Sequence, residues 1–364
     1  MRPRTERGRQ SYWIRFVLVA LFLTDAGGAL FAAIAPPGRA TDQAAQDGQS
    51  QRAEPLGKED PEDIRQTDNF AQYIHQEQLQ EVKLLLEAYV KQHPNSWRAL
   101  YQLGYVLFRL HDIKGSIVAL SKSLQLNIGH AEAHKILGLD LTMFGDYDRA
   151  QIELEQAAAL APDSAEIRYF LGRVYYTKNI FPLARREFEA ALKLDPTYMK
   201  AYDNLGLTLE AVGENEAAVA NWQRAIQLCE EQDLTSEWPL INLAAYYNRQ
   251  NDSQQALYYS QKAVEKNPTS AEAYFQMGRA YRSRKEWEQA AEALNKATTF
   301  NPDNAEYHYV LGMAYRKLGK LKESQAEEAA FRRLKQREST AGVGGIAPAR
   351  MEHRTSSSAV DRDE

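Results

Sequence analysis

A short motif recurs seven times between residues 97 and 337, and its period limits the folds open to this chain. The small residues Gly104, Gly138, Gly172, Gly206, Ala244, Gly278 and Gly312 mark it. The numbering advances by 34 at every step but one, and by 38 from Gly206 to Ala244. A fixed period of this length makes each unit one supersecondary element. Such a unit cannot bury its apolar face alone and is stable only when stacked on its neighbours. The chain therefore reads as an array rather than as a globular core with a central cleft.

Residues 165–198 are the clearest copy. Leu171, Gly172 and Tyr175 share one face at helical spacing. After a break at Asn179, Ala184, Phe188 and Ala191 make a second face. The spacing predicts two amphipathic helices joined by a tight turn. The eighth residue of each unit is small, and in five units so are the twentieth and twenty-seventh: Ala184 and Ala191 here, Ala150 and Ala157, Ala218 and Ala225, Ala256 and Ala263, Ala290 and Ala297 elsewhere. These positions are expected where the two helices cross closely. The turn holds Gly145, Asn179, Gly213, Asn251 and Gly319, residues that tolerate positive φ, with His111 and Lys285 as departures. Pro162, Pro196, Pro268 and Pro302 close their units, whereas Ile128 and Glu230 replace the proline in two others. Asp163 or Asp303, just after a proline, is placed to cap the next helix.

Over about two thirds of the chain this pattern resembles the tetratricopeptide-repeat family, whose signature W-x2-L-G-x2-Y…A-x3-F…P recurs at this same period. The resemblance implies an all-α fold, a right-handed α-solenoid of stacked antiparallel helix pairs. It also implies that the first helices of the pairs line a concave groove, where family members bind a peptide segment. In the family, positions 2, 5, 6, 9, 12 and 13 of the first helix face that groove. Carried over, they give an aromatic N-terminal half with Tyr101, Tyr105, Phe108, Arg109, Lys135, Tyr169, Phe170, Arg173 and Tyr176. The C-terminal half is basic, with Arg249, Arg279, Arg282, Arg316 and Lys317 against Glu272 and Glu306. Position 6 also supplies the amides Gln102, Asn204, Asn242 and Gln276, of the kind that members gripping a peptide backbone use. Ile136, Phe170 and Val310 interrupt the row. Leu139 stands where chaperone-binding members need Asn to hold a C-terminal carboxylate, so that mode is disfavoured.

Outside the array, Arg2, Arg4, Arg7, Arg9 and Arg15 precede an apolar run from Phe16 to Thr24, and a second such run spans Ala29 to Ala35. A basic segment, a short apolar stretch and small residues beyond describe an export signal, cleaved after Ala40 or Ala35. The alternative is an uncleaved anchor over residues 12–35, which would hold Asp25 near mid-membrane at about 2.5–3.5 kcal/mol. Residues 41–67, polar and without apolar periodicity, are expected to be a flexible linker. Leu79, Val82, Leu85, Leu86 and Tyr89 form a stripe ended by Pro94, so residues 68–96 read as a degenerate unit capping the array. Seven units then fill residues 97–337, and 338–364 read as a disordered tail. Four extra residues between Gln227 and Ser236 make a tolerated loop or a lengthened helix.

Chemistry-bearing motifs are sparse. His130-Ala-Glu-Ala-His134 lacks the Glu that a zinc-protease helix places directly after its first His, and both histidines read as structural. Cys229, the single cysteine, reads as a packing residue. No phosphate loop, catalytic triad or paired carboxylates stand out, and no cofactor is expected. The formal charge is −5, and residues 1–40 carry six Arg against Glu6 and Asp25, so the remainder stands at −9. An acidic body of this kind is a poor phosphate binder, which argues against nucleic acid as a partner. Membrane contact is expected only through an uncleaved N-terminal segment. The reading is an exported, non-enzymatic scaffold at the cell envelope that takes a peptide or loop of a protein partner. An assembly factor for a pilus, secretion or outer-membrane machine, and a regulatory subunit of a soluble enzyme, remain as alternatives.

Overall fold

Each repeat unit folds as two helices joined by one left-handed residue. The computed structural model describes residues 60–341. First helices are α3 (Trp97–Arg109), α5 (Ala131–Phe144), α7 (Ala165–Thr177), α9 (Met199–Ala211), α11 (Trp238–Arg249), α13 (Ala271–Ser283) and α15 (Ala305–Lys317). Their partners are α4 (Ile113–Leu126), α6 (Tyr147–Leu160), α8 (Phe181–Leu194), α10 (Asn215–Glu231), α12 (Ser253–Lys266), α14 (Trp287–Phe300) and α16 (Leu321–Ala341). A further pair, α1 (Pro61–His75) and α2 (Leu79–Gln92), precedes them. The described residues thus form an all-α solenoid without a strand. The export signal or anchor expected within residues 1–40, most of the linker and most of the tail lie outside them. Among the described residues no helix is long and apolar enough to cross a membrane.

The turn residues explain how the chain reverses at a constant interval. Gly145, Gly213 and Gly319 take φ of 85°, 84° and 71°. Asn179 and Asn251 take 59°. His111 and Lys285, the departures from the sequence pattern, adopt the same conformation at 59° and 62°. Left-handed backbone costs a side-chain-bearing residue about 1–2 kcal/mol, so the packing of the pair imposes the turn even where the residue does not favour it. Three second helices start on aspartate caps: the Asp112, Asp146 and Asp252 carboxylates accept from Gly115, Arg149 and Gln255 N–H at 3.0, 3.2 and 3.1 Å. Four first helices are capped by Ser96, Ser164, Ser270 and Asn304. Asp163 and Asp303 therefore sit one residue too early to be the caps expected of them.

Helix crossing depends on the eighth residue, by a route that differs from the expected backbone approach. A Cβ at Gly104, Gly138 or Gly278 would lie 2.6 Å from Leu120, Leu154 or Leu294. At Gly206 it would lie 2.5 Å from the Trp222 indole nitrogen. The glycine thus leaves a socket for the large twenty-fourth residue of the unit, which lies on the second helix. Trp222 and Phe188 are both fully buried in this way. Burying side chains of this size is worth about 1.5–3 kcal/mol each, more for the indole, and makes each pair a unit. Trp222 also donates to the Asp203 carbonyl at 3.1 Å, so its polar atom is satisfied.

The ends of the array depart from the sequence reading. α1 begins at Pro61, inside the segment assigned to the linker, so the N-terminal unit is a complete helix pair. Glu77 holds its left-handed turn at φ 58°, one repeat period before His111. The unit is disguised because Phe70 stands where the others have glycine or alanine and packs edge-on against Tyr89 at 5.4 Å. Asp63 fastens α1 to the rest by accepting from the Tyr89 and Ser96 hydroxyls, both at 2.9 Å. At the other end α16 continues to Ala341, past the expected limit at 337. The four extra residues extend α10 to 17 residues, where the neighbouring second helices have 14, and then make a left-handed turn at Asp233.

Candidate peptide-binding groove

Consecutive first helices touch one another along the array, whereas consecutive second helices do not. The first helices therefore form the inner layer of a curved stack, and the second helices splay on the outside. This puts the positions singled out in the sequence on or between the inner helices. Packing then sorts them into three groups.

Tyr169, Asn204 and Asn242 are buried and belong to the seams between inner helices, not to an open face. The Asn204 amide donates to the Tyr169 hydroxyl at 3.1 Å and to the Lys200 carbonyl at 2.8 Å. The Tyr169 ring packs against Phe170, Phe188 and Tyr198. Asn242 donates to the Asp203 carboxylate. One unit further on, Asn248 donates to the Gln276 carbonyl and side-chain oxygen at 2.9 and 3.0 Å, and Gln276 donates to Glu272 at 2.6 Å. The amide row expected to grip a peptide is largely spent on stitching first helices together. A buried amide must find partners within the protein, and here the next helix supplies them.

A second group is exposed in part but already partnered. Lys135 pairs with Glu166 at 2.6 Å and Glu132 at 2.8 Å. Burial alone would lower the Lys135 ammonium, but the two carboxylates outweigh it and raise it above its ordinary value. Arg109 donates to the Tyr105 hydroxyl at 3.1 Å and to Glu77 at 3.5 Å. Arg249 is held by Glu210. Tyr101 lies 4.4 Å from the His130 ring, and burial, helped by Glu132, pushes its phenol well up.

The third group is partly or fully exposed on the first helices and packs on aromatic rings or none. Arg173 stacks over Tyr169 and Phe170 at 5.8 and 6.0 Å, and Tyr176 meets Phe181 edge-on at 5.6 Å. Arg279 lies over Phe275 at 5.7 Å, and Lys317 over Trp287 at 5.9 Å. Arg282 is half-buried, and the Arg316 side chain is 63% exposed. Met143 and Phe144 are large apolar residues left more than half exposed at the end of α5.

Four tetratricopeptide-repeat profiles match this chain: the "TPR repeat" over residues 278–319, and "Tetratricopeptide repeat" over 137–198, 197–267 and 259–292. Together they run without a gap from 137 to 319, half of the 364 residues. The chain belongs to the tetratricopeptide-repeat family. Its curated relatives include anaphase-promoting complex subunit 3 of Schizosaccharomyces pombe, 28% identical over 28% of this chain and 15% of that protein. The peroxisomal targeting signal receptor of Saccharomyces cerevisiae is 27% identical over 41% of this chain and 31% of that protein. The chain thus spans less than a third of either relative. A tetratricopeptide repeat protein of Parabacteroides merdae shares the fold, with a TM-score of 0.57 at 15% identity, over 70% of this chain and 99% of that one.

Within this tetratricopeptide array, what sequence reasoning did not supply is the pairing of polar residues between the two helices of a unit. His134 meets Glu153 at 2.7 Å through one ring nitrogen and the Ile128 carbonyl at 2.9 Å through the other. His308 repeats the arrangement with Glu327 at 2.6 Å and the Pro302 carbonyl at 2.9 Å. Arg168 pairs with Glu187 at the same 19-residue offset, 3.0 Å apart. That shared offset was the available signal. His130 caps α5 by accepting from the Ala133 N–H at 3.0 Å. Among the described residues no cluster of three or more His, Cys, Asp or Glu could hold a metal ion. Asp140 is fully buried and neither carboxylate oxygen has a partner. The Ser116 hydroxyl beside it donates to the Gly104 carbonyl at 2.9 Å. Burial pushes the Asp140 carboxyl up to about 7, against a lowering from Ser116, with Asp112 adding to the rise.

Proposed function

We propose that this chain is a non-enzymatic scaffold of the cell envelope whose inner helix layer takes a peptide or loop of a partner protein. The observation that carries the reading is the division of the inner layer. Buried amides and ion pairs lock the first helices together, while Arg173, Tyr176, Arg279, Arg282, Arg316 and Lys317 project from the locked surface. A surface fixed in this way loses little conformational entropy on binding. Arginine and tyrosine are also the side chains that most often dominate protein interfaces. One relative is named as a receptor for a targeting signal and another as a subunit of a complex, and both names agree with recognition of protein partners. The envelope location rests on the basic and apolar character of residues 1–40. Assembly of an envelope machine is the more specific form of this reading.

The test places a photocrosslinking residue in the full chain at Tyr176 on the inner layer and at Val118 on the outer one. A partner crosslinked from position 176 and not from 118 supports the groove. Capture from 118 alone overturns it. A reporter fused after residue 60 checks the location independently: activity confined to the cytoplasm refutes export and favours the soluble regulatory subunit.

A further inference from the structure

The inner layer is not electrically uniform, and the imbalance lies at one end. In the first five units three of its cations face acids, Arg109 meeting Glu77, Lys135 meeting Glu132 and Glu166, and Arg249 meeting Glu210, while Arg173 lies singly over the Tyr169 and Phe170 rings. At Arg282 on α13 and Arg316 on α15 the layer offers no such acid. The Arg282 guanidinium has no carboxylate within ion-pair distance among the described residues. Arg316 reaches only Glu328, at 3.8 Å, and Glu328 already holds Arg332 at 2.8 Å. Lys317 follows Arg316 directly, over the Trp287 face. The layer's acid on α13, Glu272, is spent on Gln276 and on the Tyr307 hydroxyl, both at 2.6 Å.

Register sets the spacing of the two arginines. Arg282 and Arg316 are both the twelfth residue of their units, one repeat period apart, on inner helices that touch. Packed helices stand roughly 8–10 Å apart. An extended chain in the polyproline II conformation has three residues per turn and rises roughly 3.1 Å per residue, so every third side chain lies on one face and matches the step between the two helices. Guanidinium groups favour carboxylates because the fork can donate two parallel hydrogen bonds. The chain beyond residue 40 stands at −9, so a long polyanion would be repelled on either side of this small patch, whereas a short acidic segment would not.

We propose that Arg282 and Arg316 form a subsite for an extended acidic segment of a protein partner, one that carries carboxylates three residues apart. This rests on the groove reading above and gives it a ligand chemistry and a location. The occupant crosses α13 and α15 with one carboxylate on each guanidinium, and Lys317 adds a third positive charge at the edge.

The probe is a fluorescein-labelled 12-residue Ser/Gly peptide with Glu at three-residue spacing. It is compared by anisotropy with the same peptide carrying Gln and with one carrying three consecutive Glu. Two partly exposed ion pairs are expected to favour the spaced Glu peptide over the Gln peptide by about tenfold at low salt. Arg282→Ala with Arg316→Ala removes that preference. Arg185→Ala with Arg224→Ala, an equal charge loss on the outer helices, keeps it. Reversal to Arg282→Glu with Arg316→Glu shifts the preference to a Lys peptide. The proposal is overturned if Gln and Glu peptides bind alike, if the inner double variant keeps the preference, or if consecutive Glu binds best. It is equally overturned if an oligothymidylate of equal charge binds more tightly through the same arginines. A partner crosslinked at position 176 but indifferent to the inner double variant refutes this subsite and leaves the groove standing. No crosslink at 176 removes the groove itself.

Discussion

Asp140 offers the sharpest test of the packing. Its counterparts in the flanking units, one repeat period away on each side, are Val106 and Val174, both buried. Asp140 occupies the same kind of site with a carboxylate that has no partner. Its carboxyl is pushed from 3.8 up to about 7 by burial. The folded chain then holds this proton more tightly than the unfolded chain, so stability falls as pH rises from about 4 to about 7 and is level beyond. One proton gives at most about 1.4 kcal/mol per pH unit, and the whole gap gives about 4 kcal/mol as an upper value. Asp140→Val removes the titration and restores the residue of the neighbouring units. The variant should be more stable than the parent throughout, because even a neutral buried carboxyl without a partner costs about 1–3 kcal/mol. Its advantage at pH 8 should exceed that at pH 4 by about 2–4 kcal/mol. Urea unfolding followed by circular dichroism at pH 4, 5, 6, 7 and 8 measures both curves. An advantage that stays constant across that range would refute the assignment of the pH dependence to Asp140.

Gly206→Ala should destabilise by about 1–3 kcal/mol because its Cβ meets the Trp222 indole. Gly312→Ala, whose nearest contact is 3.3 Å from the Glu327 Cβ, should be neutral or raise the melting temperature through better helix propensity. Lys285→Gly relieves a left-handed turn at φ 62° and should stabilise by about 1 kcal/mol, whereas Lys285→Val should lower the melting temperature. Cys229 is buried, and burial pushes its thiol up to about 11. A disulfide reagent at pH 8 should therefore modify it slowly in the native chain and at once in urea, and fast native modification would contradict its packing.

The period of small residues was enough to predict the helix pairs and the array, because glycine at the crossing is demanded by Leu120, Leu154 or Trp222 from the same unit. Local demands of that kind leave a trace in one sequence. The N-terminal pair left a weaker one: Phe70 and Glu77 fill its glycine and turn positions, and only the structure shows that the backbone nevertheless repeats. The groove was legible as a set of positions but not as a set of free side chains. Tyr169 and Asn204 sit at groove positions and still turn into the seam, because each completes the other's hydrogen bond across two helices. Which side chain is spent and which is open depends on residues 35 or 39 positions away, and a helical repeat pattern carries no record of those pairings. Tyr169→Ala would consequently damage the core, and Arg173→Ala is the cleaner probe of the open surface.

The lengthened α10 has a mechanical meaning. Across the seam between α9–α10 and α11–α12, the inner edge is pinned by Asp203 with Asn242 and by Glu210 with Arg249. On the outer edge the extra turn opens a cavity of about 320 Å³ bordered by Ile226, Cys229, Leu240 and Lys262. A joint fastened on one side and gapped on the other bends about the fastened side. Bending about this edge would couple the two faces: closing the gap on the outside would spread the inner surface, and widening it would draw the cationic end toward the aromatic end. Such a motion would carry the three units beyond the joint as one arm, Arg282 and Arg316 with them, so four inserted residues would set the span of the inner layer.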